Sequence, residues 1–324
     1  MTVTWPQTRN LLLLCLLLQA GLPAGAQSTA QRWTFVTLGT VAGPVANARR
    51  SQPANLLHNA DQTILVDAGD GAAEQLAKAG VPLARVHDVL ISHLHFDHTG
   101  GLFALLGMRF QVAYPGSLTI YGPPGTRRLV DGLIAAMQPA AEAGAGFPGQ
   151  ARRVPANGIQ VVELTDGSQL SIGDVKVSAA TNSHYSFVAG SEDAARYQSL
   201  SFRFDLPGRS IVYTGDTGPS ANVEKLARGA DVLFSEVIDP EAAMADLKRV
   251  IPGAPPALLA MIRQHFIEQH LTADNVGLMA AAAGVKQLVL THNGLGDGPA
   301  DRAIAAIAAH FKGSIVVAKD LDSF

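Results

Sequence analysis

Three imidazoles and a carboxylate crowd into six consecutive positions, His93-Leu-His95-Phe-Asp97-His98, at the exit of the β-type run 88–92. Buried without partners, such groups would each cost about 2 kcal/mol or more. A divalent ion supplies the partner they need, and His with Asp suits zinc or a similar borderline metal. His93 and His95 stand two apart as the chain leaves a strand, so both point to one side. Asp97 and His98 follow before Gly100-Gly101 turns the chain into an apolar helix. One loop cannot close two metal sites alone. The fold must therefore bring donors from distant segments to this strand end.

Cysteine cannot be among them. The single cysteine, Cys15, lies in the apolar run LLLLCLLL at 11–18, with Arg9 before it and Ala24-Gly25-Ala26 after it. That order is the signature of an export signal, cut here after Ala26. The run is too short for a bilayer, which needs about 20 apolar residues. Leu14 also stands where a lipoprotein would place a small residue before its cysteine. The expected protein is one domain, residues 27–324, periplasmic or secreted, without disulfides. At 48% hydrophobic and 16% charged, it has ample material for a large core and is no candidate for disorder. A net charge of −3 argues against nucleic acid, whose binding is dominated by phosphate neutralisation.

β-type runs recur at 34–38, 63–66, 88–92, 118–121, 160–164, 175–179, 199–204, 211–214, 232–235, 287–291 and 314–317. Helical runs fall at 72–79, 126–137, 221–227, 241–250, 273–283 and 301–311. Clustered strands with helices between them predict sheet layers covered by helices. Residues 139–158, rich in Ala, Gly and Pro, read as a surface flap, and 102–116 and 238–264 as further pocket loops. A faint repeat also appears. ILVDAGDG, a helix and VHDVLISH are matched by IVYTGDTG, a helix and ADVLFSE, each unit closing on a polar residue. Two such halves would place both sets of strand-end loops around one cleft.

Three further donors have suitable chemistry: His184 in TNSHYS, Asp216 in TGDTG and His292 in LVLTHN. Each alone is weak, since Asp-Thr-Gly is a common turn. Together with HLHFDH they resemble the metallo-β-lactamase-fold hydrolase superfamily across residues 34–318. Within it, ILVDAGDG, TNSHYSF, GRSIVYTGDTG and EQHLTA are similar to the ribonuclease Z/arylsulfatase-like branch, and RSQPAN at 50–55 to its exported arylsulfatase-like members. The resemblance implies an α/β (α+β) fold, a four-layer αββα sandwich of two similar halves. It implies that His93, His95 and His184 hold one metal, that Asp97, His98 and His292 hold the other, and that Asp216 bridges them. Two Zn2+ are expected, with Mn2+ or Fe as substitutes, sharing a hydroxide nucleophile. Asp67 is expected to support the HLHFDH loop. His270, in His-Leu-Thr-Ala, matches a histidine thought to assist the leaving group. Glu236 matches its orienting acid, so His270, Glu236 and Asp97 form the expected catalytic set. His58, His87, His265 and His310 match nothing and read as structural or surface.

The branch is harder to divide. The last ligand motif of ribonuclease Z resembles His-Phe-Ser-x-Arg-Tyr, where this chain has His292-Asn-Gly-Leu-Gly-Asp297, and 139–158 lacks a basic arm. With the export signal, these departures favour a zinc hydrolase of small aryl sulfate or phosphodiester substrates. The expected partner is then a small-molecule ester, with no nucleic acid, no membrane after signal removal, and a homodimer allowed. The alternatives are a lactonase or other acyl-ester hydrolase, a ribonuclease Z-like nuclease, and a non-catalytic metal-binding periplasmic module.

Overall fold

Val, Ile and Leu dominate the short runs, and in the computed structural model they pair into two mixed sheets. The structure describes residues 1, 32–296, 298 and 300–324; the expected export signal, apart from Met1, and the expected cut after Ala26 fall outside the described residues. The first half contributes β1 (Thr34–Gly39), β2 (Ala54–His58), β3 (Thr63–Ala68), β4 (Asp88–Leu90), β5 (Leu118–Gly122) and β6 (Ile159–Glu163). The second contributes β7 (Gln169–Ile172), β8 (Val175–Thr181), β9 (Leu200–Leu206), β10 (Arg209–Tyr213), β11 (Val232–Ile238), β12 (Gln287–Gly294) and β13 (Ser314–Val317). A last short strand, β14 (Asp322–Ser323), returns to the first sheet beside β1.

The sheet orders are β14-β1-β2-β3-β4-β5-β6 and β13-β12-β11-β10-β9-β8-β7. In each sheet the pairings run antiparallel as far as β3 or β10, then parallel through β3-β4-β5-β6 or β10-β11-β12-β13. The repeated sequence units are the two crossovers that open the parallel parts. They are β3 to β4 through α1 (Ala72–Lys78), and β10 to β11 through α6 (Ala221–Ala227).

Four layers follow from where the apolar side chains go. Phe35, Ile64, Val66, Phe202, Phe204, Tyr213 and Phe234 fill the space between the sheets. The outer face of the first sheet packs on α1, α3 (Leu102–Val112) and α4 (Thr126–Ala143), through Leu76, Leu105, Leu106 and Val130. The outer face of the second packs on α6, α9 (Ala273–Ala283) and α10 (Asp301–His310), through Val223, Val276, Met279 and Ile307. Trp33–Phe324 forms one compact unit. Among the described residues no helix is long and apolar enough to cross a membrane.

Of the three expected pocket segments, two are largely helical and the third is helical only at its start. Residues 102–116 contain α3. Residues 238–264 contain α7 (Pro240–Val250) and most of α8 (Pro256–Glu268). The flap at 139–158 begins inside α4, which runs through Pro139 to Ala143 because Met137 and Ala141 bury their side chains there. The expected strand 88–92 stops at Leu90, so His93 and His95 sit on the extended segment after it. β2, β7 and β14, and the short helix α5 (Glu192–Arg196), were not expected.

Candidate metal centre

The HLHFDH loop is held from below by backbone packing that only glycine permits. A Cβ on Gly69 would collide with the carbonyl of Asp97, and one on Gly101 with the carbonyl of Gly69. The VDAG turn and the histidine loop therefore interlock, with Gly101 N–H donating to Ala68 O at 2.9 Å. His95 has extended backbone and starts the single turn α2 (Phe96–Thr99), which aims Asp97 and His98 inward. His93, Asp97 and His98 are buried and His95 is exposed, so the centre opens past His95.

The other donors arrive from the second half. His184 follows β8, Asp216 lies in the turn after β10, and His292 lies on β12 with a positive φ of 40°. A histidine in that strained region is held there by its surroundings. Donor atoms of His93, His95 and His184 lie within 4.8 Å of one another, and so do those of Asp97, His98, Asp216 and His292. The two Asp216 oxygens divide between the groups. Oδ2 stands 3.9 Å from His93 Nε2 and 4.0 Å from His184 Nε2, while Oδ1 stands 3.2 Å from both His98 Nε2 and His292 Nε2.

Charge and burial fit a divalent ion. His93 Nε2, His98 Nε2 and Asp216 Oδ1 are buried and make no hydrogen bond. Leaving such atoms unpaired is costly, and an ion between them removes the cost. Burial pushes His93 and His184 well below the ordinary imidazole range, toward the neutral, ligating form. Burial would raise Asp97, but His98 and the hydrogen bond from His292 outweigh it and hold the carboxyl at about 2. Asp216 is likewise held well below the carboxylate range, since His292 and His98 outweigh its burial. Burial opposes a charge on His98, yet Asp216, Asp67 and Asp97 together raise it well above the usual value.

Supporting bonds fix the rings. Asp67, with a positive φ of 60°, receives bonds from Ser92 N at 2.7 Å, Ser92 Oγ at 2.8 Å and Tyr213 Oη at 2.8 Å. The same carboxylate lies 2.8 Å from His98 Nδ1, leaving Nε2 for the centre. His184 Nδ1 is held by the Gln269 carbonyl at 3.0 Å. Tyr213 and Ser92 escaped the sequence reading, because nothing local marks a tyrosine that reaches across two sheets.

His270 follows α8 and is buried beside the centre, its Nδ1 2.7 Å from Glu236 Oε2. Glu236 Oε1 accepts from the Thr217 N–H. Burial opposes a charge on His270, but the Glu236 carboxylate and their hydrogen bond raise it to about 9. His265, expected to be structural or surface, instead brings its Nε2 within 3.3 Å of His270 Nε2 and lines the cleft. Its only sequence signal was a spacing of five from His270. His58, His87 and His310 lie elsewhere, on the end of β2, against Ser117 and against Asp274. The cleft over the centre has a volume of about 410 Å³, with α7 and α8 as one wall. Ile238, Leu247, Ile262 and Phe266 make it apolar, and Arg50, donating to Asn293 O at 3.1 Å, adds a cation.

Residues 62–293 match the family described as "Beta-lactamase superfamily domain". Ribonuclease Z of Mycobacterium avium is 30% identical over 291 residues, 88% of this chain and 96% of that protein. Ribonuclease Z of Mycobacterium tuberculosis is 28% identical over 288 residues, 88% of this chain and 96% of that one. Among solved structures, the metallo-beta-lactamase fold protein YhfI from Bacillus subtilis superposes with a TM-score of 0.63 at 20% identity, covering 90% of this chain and 98% of that one. The short form of human tRNase Z superposes with a TM-score of 0.60 at 22% identity, again over 90% and 98%. These relatives overturn two expectations: a hydrolase of small aryl sulfate or phosphodiester substrates, and the absence of a nucleic-acid partner. The arylsulfatase-like placement gains no support from them. The αββα sandwich, the clustered His and Asp donors and the near full-length match to ribonuclease Z place the chain in the metallo-β-lactamase-fold hydrolase superfamily, in its ribonuclease Z branch.

Proposed function

We propose that the protein is a metal-dependent ribonuclease that hydrolyses a phosphodiester bond of RNA at a centre for two divalent ions, zinc by preference. The observation that carries this reading is Asp216, whose two oxygens face two separate sets of donors in a chain whose relatives are named ribonuclease Z. His93, His95 and His184 would hold one ion, Asp97, His98 and His292 the other, with Asp216 between them. Bound there, the ions would supply a Lewis acid for the phosphoryl oxygens and a water acidic enough to attack near neutral pH.

The protein's own groups do the rest. Asp67 keeps His98 turned toward the centre, and Gln269 O does the same for His184. Glu236 holds the Nδ1 side of His270, which leaves Nε2 to deliver a proton to the departing ribose oxygen. Arg50 stands in the cleft where it can meet a phosphate. Incubation of the zinc-loaded protein with a labelled transfer-RNA precursor and an unstructured RNA should yield defined fragments, and EDTA should abolish them. Turnover of bis(4-nitrophenyl) phosphate with both RNAs left intact would overturn the reading.

We also propose that the chain is exported and cut after Ala26, from the order of Arg9, the leucine run and Ala24-Gly25-Ala26. Intact-mass measurement on protein recovered from the producing cell should give a chain starting at Gln27. A chain that retains Met1 would sink the export reading.

A further inference from the structure

The loop that carries His184 does not end its aromatic content there. Tyr185 packs its ring against the metal-centre histidines, at centroid distances of 5.4 Å from His95 and 5.2 Å from His184. Phe187 lies 5.7 Å beyond Tyr185, and Tyr197 lies 5.8 Å beyond Phe187. Tyr185 is half-buried, whereas Phe187 and Tyr197 are exposed although they are large and apolar. Ser186 Oγ accepts from Gln269 Nε2 at 2.7 Å, which ties the ladder's inner end to the residue beside His270. Ser191 caps α5, and α5 delivers Tyr197 back against Phe187.

We propose that this ladder is a stacking track for the unpaired bases of a single-stranded RNA segment flanking the scissile bond. The proposal rests on the nuclease reading and names how that substrate is held. Every base has a π-face, so successive rings bind a strand without reading its sequence. The ladder is continuous with the centre through Tyr185, so a strand lying on Phe187 and Tyr197 leads into the metals. The charges nearby argue for stacking over phosphate neutralisation. α5 carries Glu192 and Asp193, and its Arg196 is paired with Glu192 at 3.1 Å. Binding on the track should therefore depend only weakly on salt, unlike binding dominated by phosphate contacts.

The test measures fluorescence anisotropy of labelled hexaadenylate and diadenylate on the zinc-loaded protein. In parallel, kcat and KM are measured for RNA cleavage. Phe187→Ala and Tyr197→Ala should each weaken hexaadenylate relative to diadenylate by about 5-fold or more. They should raise KM for RNA more than they lower kcat. Phe187→Trp and Tyr197→Phe should restore binding, because stacking uses the ring and not the hydroxyl. Leu278→Ala, at an exposed leucine on α9 away from the ladder and the cleft, should change neither. If RNA is cleaved and the alanine variants bind hexaadenylate as the parent does, the track is wrong while the nuclease reading stands. If the parent neither cleaves RNA nor binds hexaadenylate, the nuclease reading falls and takes this inference with it.

Discussion

Asp216→Ala is expected to lower RNA cleavage by about 10³-fold or more and to leave fewer than two ions on each chain. The magnitude follows from the several kcal/mol of charge stabilisation that a metal centre supplies, at about 1.4 kcal/mol per decade of rate. Among the described residues Asp216 is the one carboxylate whose oxygens address both donor sets, so its loss unlinks them rather than emptying one alone. The apolar clusters contain none of the seven proposed ligands, so the fold should survive the change. Its melting temperature should still drop. An ion that binds only the folded chain adds about 4 kcal/mol at a thousandfold excess over its Kd, and that contribution goes with the ion. Circular dichroism would report the retained fold, and elemental analysis of the same sample the metal. Two ions per chain and full activity in Asp216→Ala would remove this carboxylate from its proposed place.

What could be read in advance divides along the same physical line. Candidate metal donors announce themselves locally when they come from one loop, and His93, His95, Asp97 and His98 had to be read together. His184, Asp216 and His292 lie on separate segments, and only their motifs connected them before the sheets did. The duplicated strand-helix-strand unit was legible because both copies need the same apolar strands and acidic turn. The cleft wall was not. None of the residues of α8 is fully buried, so its sequence carries little of the periodicity that marks a packed helix, and His265 went unassigned with it. Pro139 suggested a helix end that the burial of Ala141 overrides. β2 is five residues, ANLLH, without alternation to mark it. The substrate class was misread because a net charge of −3 describes the whole surface, while RNA recognition needs only a few local contacts. The aromatic rings after His184 were in plain view, yet nothing in the spacing of 185, 187 and 197 reveals that they line up.

The remaining large effect separates proton delivery from metal binding. His270→Ala should keep both ions, since the proposed ligand sets are complete without it, and should slow RNA cleavage by about 10²–10⁴-fold, the range for losing a positioned general acid. The ribose oxygen that departs from RNA is a poor leaving group and needs the proton. A nitrophenolate does not, so the loss should be far smaller for bis(4-nitrophenyl) phosphate. Because Glu236 raises His270 to about 9, the proton is present at neutral pH and is lost as pH rises through that pKa. The parent's activity should therefore fall on the alkaline side, and that limb should vanish in His270→Ala. Glu236→Gln should show a milder form of the same pattern, because a neutral amide can still take the Nδ1 proton but no longer favours the charged ring. Equal losses on both substrates would mean that His270 holds the substrate rather than protonates it. A missing ion would make it a ligand.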